Sequence, residues 1–71
     1  MVITNHAVTR FKERITAASY ESICTFIEED IKKSELLYSC NGIEKRMYNG
    51  IVYVIDPSKK YQPVVVTLYL Y

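Results

Sequence analysis

The stretch "LLYSCNGIEKRMYNGIVYVID", residues 36–56, carries two Asn-Gly pairs, Asn41-Gly42 and Asn49-Gly50, each between runs that alternate apolar and polar side chains. Asn-Gly is the preferred centre of a two-residue hairpin, because both turn positions need a positive φ that these residues adopt at low cost. The pattern predicts three antiparallel strands near residues 35–40, 43–48 and 51–55. "DPSKKYQP", Asp56 to Pro63, then reads as the turn into a last strand that runs through Tyr71. On that last strand Val64, Val66, Leu68 and Leu70 are expected on one side, and Val65, Thr67, Tyr69 and Tyr71 on the other.

Before residue 35 the apolar period is helical. Thr4 or Asn5 can cap a helix with Ala7, Val8, Phe11 and Ile15 along one stripe. Ser19 can cap a second that ends near Lys33, with Tyr20, Ile23, Cys24, Ile27 and Ile31 inward. Glu21, Glu28 and Glu29, then Lys32 and Lys33, follow the order favoured by the helix dipole on its solvated side. The expected fold is α+β: two N-terminal helices packed on one face of a three- to four-stranded antiparallel sheet, as one domain over residues 1–71. Phe11, Ile15, Ile23, Ile27, Ile31, Val66 and Leu68 are its expected core.

Composition narrows the function. At 49% hydrophobic and 24% charged, the chain has the balance of a folded domain. A net charge of +1 gives no global pull on nucleic acid, so the placement of cations matters more than their number. Two cysteines, Cys24 and Cys40, are too few for a disulfide scaffold or a zinc site and read as reduced, mostly buried thiols. No metal or cofactor is expected. The start lacks a secretory signal and no apolar run is long enough to cross a bilayer, which points to a cytoplasmic protein without a membrane partner.

His6, Arg10 and Arg14 stand four residues apart, one helical turn above another, beside the apolar stripe. Like charges at that spacing do not help a helix, so the row is either a solvated face or a site. Two guanidinium groups can clamp a phosphate, and an imidazole can carry a proton. Thr67 and Tyr69 on the last strand are candidate hydroxyl groups for the same site, and the five are expected to converge on one anion-accepting groove. The tyrosine-rich side of the sheet offers rings on which bases could stack.

"ITNHAVTRFKERI" (3–15), the helices-then-strands order and "VVVTLYLY" (64–71) resemble small RelE-like toxin domains. More closely, they resemble a bacterial and phage family of that superfamily that opens on H-A-x-x-R-x-x-x-R and closes on V-V-T-x-Y. The resemblance implies metal-independent RNA cleavage. It would make His6, Arg10, Arg14, Thr67 and Tyr69 catalytic, with a ribose 2′-hydroxyl attacking the adjacent phosphate. The competing expectation is a catalytically silent phage-encoded inhibitor that binds a host or defence protein. That reading is favoured by the near-zero net charge and by the acidic run Glu28-Glu29-Asp30. A homodimer through the apolar last strand is compatible with either.

Overall fold

The structure is a computed structural model that describes residues 1–58 and 62–71. The elements in chain order are β1 (Val2–Ile3), α1 (Asn5–Arg14), α2 (Tyr20–Lys33), β2 (Glu35–Cys40), β3 (Ile43–Tyr48), β4 (Ile51–Asp56) and β5 (Val64–Leu70). They build an α+β fold in which both helices pack on one face of a five-stranded sheet of order β1-β5-β4-β3-β2. Part of the predicted Asp56–Pro63 turn, residues 59–61, lies outside the described residues.

Local chemistry sets these boundaries. Asn41 and Gly42 have φ of 53° and 77°, and Asn49 and Gly50 have 52° and 80°, as the two-residue hairpins require. Ser19 opens α2 by accepting the Ser22 N–H at 3.2 Å. Thr4 does two jobs: its hydroxyl oxygen accepts the Ala7 N–H at 3.1 Å to cap α1, while its O–H donates to Val66 O at 2.8 Å and fixes the helix start to β5.

The sheet differs from the expected antiparallel sheet of three to four strands by an added edge. Residues 2 and 3 pair parallel to Val64 and Val65, with the Val2 N–H bonded to Pro63 O at 3.0 Å and the Thr4 N–H to Val65 O at 3.2 Å. Two residues are too short to show a period. β1 lies beside the first part of β5, which therefore has strands on both sides there; the other pairs are antiparallel.

A register shift in the β4–β5 ladder changes which β5 residues face inward. Val54 pairs with Thr67 but Ile55 pairs with Val65, so Val66 is the extra residue of a bulge. Val65 and Leu68 are consequently buried, while Val66, expected in the core, is 37% exposed. Phe11, Ile23, Ile27 and Leu68 are in the core as expected, and Ile15 and Ile31 pack on its margin. Ile51, Tyr53 and Ile55 of β4 complete it. Cys24 is half-buried and Cys40 exposed, because Cys40 ends an edge strand that no helix covers.

One polar pair is enclosed in this core. The Tyr53 hydroxyl donates to Asp30 Oδ2 at 2.6 Å, so the carboxylate that α2 carries inward has a donor. Burial, then the bond to Asp30, pushes the Tyr53 phenol far above its ordinary range and keeps it protonated. The unfolded phenol ionises near pH 10, so this contribution to stability is complete at neutral pH and falls as pH rises beyond about 10. Urea denaturation at a series of alkaline pH values should show that decline in the parent protein. Tyr53→Phe should flatten it, and should lower neutral-pH stability by roughly 1–3 kcal/mol by leaving Asp30 without its donor.

Candidate functional site

On α1 the cap at Thr4 puts His6 in the first turn, Arg10 a turn later and Arg14 at the last helical residue. Ala7, Val8 and Phe11 face the sheet, which leaves the row at the helix's outer side. Arg10 Nε donates to His6 Nε2 at 3.5 Å, and its guanidinium lies 3.7 Å from Glu13 Oε1. The structure thus joins His6 to Arg10, but much of Arg10's reach is directed along its own helix.

Thr67 and Tyr69 do not join them. Leu68, like Val65, packs in the core with Ala7, Val8 and Phe11, and alternation sends both neighbours of Leu68 to the opposite face. Thr67 pairs across β4 with Val54 and Tyr69 with Val52, neither of which belongs to the helix-side core. The sheet stands between these two residues and the α1 row, so the expected single groove of five groups is not formed.

The face opposite the helices holds a different constellation. The two-residue turn at Asn41-Gly42 pairs Tyr38 with Lys45, and Lys45 pairs onward with Val54, which pairs with Thr67. Lys45 Nζ lies 5.4 Å from the Tyr38 ring centroid and 5.3 Å from that of Tyr69. One ammonium group is therefore shared by two rings from strands on either side of β3 and β4. Tyr38, then Tyr69, favour the charged ammonium and raise Lys45 above the ordinary lysine range. Val52, between the flanking Met47 and Tyr69, has no exposed surface although no helix lies on this face.

Both rings remain available to a partner: Tyr38 is 51% and Tyr69 37% exposed. Among the described residues, Tyr20 and Tyr71 are the other exposed tyrosines, on α2 and just past β5. Glu35 pairs with Met47 and Asp56 with Val64, so two carboxylates sit on this same face and it is not uniformly cationic. No three His, Cys, Asp or Glu side chains among the described residues come together to hold a metal. No described helix is long and apolar enough to cross a membrane.

Lys45 and Tyr38 were not singled out from the sequence. The hairpin register pairs them, since a two-residue loop fixes Cys40 opposite Ile43 and alternation does the rest. Comparison with protein families, with curated proteins and with solved structures finds no match for the chain.

If the Arg10 contacts are only local, their loss should hardly register in folding. Arg10→Ala should change the unfolding free energy by less than roughly 0.5 kcal/mol, the scale of an exposed i,i+3 ion pair. A denaturant titration with an unchanged slope would show this.

Proposed function

We propose that this chain is a small RNA-binding protein that takes single-stranded RNA on the open face of its sheet. The observation that carries this reading is the row Tyr38, Lys45, Tyr69, two accessible rings with a cation between them. Unpaired bases stack on such rings regardless of sequence, at roughly 1–3 kcal/mol per base, and a lysine between two stacked bases is placed to meet the phosphate that links them. The ammonium then exchanges its ring contacts for a phosphate oxygen. With a net charge of +1 and Glu35 and Asp56 on the same face, stacking supplies more of the affinity than electrostatic attraction does.

The helices-on-sheet architecture and the His6-Arg10-Arg14 row support a place near the RelE-like proteins. Binding is nevertheless preferred to cleavage, since His6, Arg10 and Arg14 lie across the sheet from Thr67 and Tyr69. A second reading, docking to a host or defence protein, is favoured by one feature: the apolar side chains of Val2, Leu37 and Val66 are each 37–42% exposed.

Fluorescence anisotropy with a labelled unstructured RNA distinguishes these. Tyr38→Ala and Tyr69→Ala should each weaken binding by about tenfold or more. Lys45→Gln should lower the slope of log affinity against log salt by about 0.7, the share of one phosphate contact on a single strand. Equal affinity for duplex RNA, or no saturable binding at low salt, would defeat the proposal. Cleavage in the presence of a chelator that disappears in His6→Ala would restore the enzyme reading.

A further inference from the structure

On the helix side of the sheet, away from Lys45, a cavity of about 250 Å³ opens between the C-terminal turn of α2 and the ends of β3 and β4. Its walls are apolar at Met1, Ile31, Ile55 and Pro63 and charged at Glu44 and Arg46. Alternation on β3 turns both charged side chains to this face, since Glu44 pairs with Ile55 and Arg46 with Tyr53, and both partners are core residues.

The two charges are incompletely matched to each other. Arg46 Nε donates to Ser34 Oγ at 2.9 Å and one terminal nitrogen to Ser34 O at 3.3 Å, which anchors the guanidinium at the end of α2. The other terminal nitrogen is 3.7 Å from Glu44 Oε1, close enough for attraction and too far for a hydrogen bond. Both side chains are only 29% exposed, so each has given up much of its water. Among the described residues, Arg46 is the one partner of the Glu44 carboxylate. Among the described residues, the site therefore presents, side by side, a carboxylate without a close donor, a guanidinium with unused N–H groups and an apolar hollow.

We infer that this cavity binds a free α-amino acid with an apolar side chain. The ammonium bonds Glu44, the carboxylate bonds the unused N–H groups of Arg46, and the side chain fills the hollow against Ile31 and Ile55. Charge complementarity selects a zwitterion over either single ion, since a ligand with one charge meets the opposite member of the pair as a like charge. Size restricts the class as well: ligand sites commonly span roughly 300–1,000 Å³, and this one lies just below that range. The site is independent of the RNA-binding face.

The test is a titration of the full chain, followed by amide chemical shifts, with L-leucine, 4-methylpentanoate and isoamylamine. The last two keep the branched hydrocarbon and lack the ammonium and the carboxylate respectively. L-leucine should give saturable shifts at Ile31, Glu44, Arg46 and Ile55, and each analogue should bind about tenfold or more weakly, the effect of losing a hydrogen bond to a charged group. Glu44→Gln, a change at a side chain outside the core cluster, should weaken leucine to a similar extent while far-UV circular dichroism and Tm stay at parent values. Absence of saturable shifts up to the solubility of leucine would overturn the inference. So would an analogue that binds as tightly as leucine, or shifts confined to Tyr38 and Tyr69. RNA binding measured on Glu44→Gln separates this site from the sheet face: it should be unchanged.

Discussion

Both helices lie on the same side of the sheet, and α1 is held there by the burial of Ala7, Val8 and Phe11 against Val65 and Leu68. Because β5 is bulged at Val66, it is Leu68 that decides the rest: once it is committed inward, its neighbours Thr67 and Tyr69 must face the other way. The distribution of chemistry over the molecule follows. The side beneath the helices takes the aliphatic core and its few enclosed polar groups. The far side has no helix to shield it and is closed by its own long side chains, with Lys45 and Tyr69 lying over the strands and Val52 sealed among their neighbours.

The polar groups under the helices are consistent with that division. Tyr53 and Arg46 are cross-strand partners, and each answers a different need of α2: Tyr53 supplies the donor for Asp30, while Arg46 binds the hydroxyl and the carbonyl of Ser34 at the helix end. Ser34 in turn donates to Ile31 O at 2.7 Å, so the last turn of α2 is closed by a side chain that β3 holds in place. These contacts fix the lengthwise position of α2 on the sheet, which hydrophobic burial alone does not specify. Alternation on β3 brings Glu44, two residues before Arg46, to the edge of the cavity on the same side.

Most of the architecture was legible in the sequence because it rests on local rules. The two capping residues, the helical periods and the two Asn-Gly turns are short-range features, and the structure follows them at Thr4, Ser19, Gly42 and Gly50. What escaped was non-local. β1 exists because Val2 and Ile3 meet Val64 and Val65 from the far end of the chain, and the bulge at Val66 falls where β5 meets Thr4 on one side and β4 on the other. A strict period of two through residues 64–70 therefore assigns Val64 and Val65 to the wrong sides and places the exposed Val66 in the core. The candidate site was legible only in parts: His6 and Arg10 do meet, Tyr69 does belong to an aromatic face, but the partner of Tyr69 is Lys45. Strand alternation alone sends Tyr69 away from the helices, and that constraint outweighs a match of five residue types.

The two cationic features also differ in what they offer a phosphate. Arg10 approaches Glu13 on its own helix, where exposed, screened charges gain little from one another and an incoming anion must compete with a carboxylate. Lys45 is neighboured by Tyr38 and Tyr69, which attract the ammonium through their rings but carry no opposing full charge, so a phosphate that displaces them brings the stronger partner. The rings released by that exchange are the surfaces on which the adjoining bases can stack. One movement of a single side chain would thus serve both parts of a nucleotide, and among the described residues nothing comparable links His6 or Arg14 to an aromatic neighbour. This difference, more than the number of positive charges, is the reason the sheet face is the better candidate for RNA.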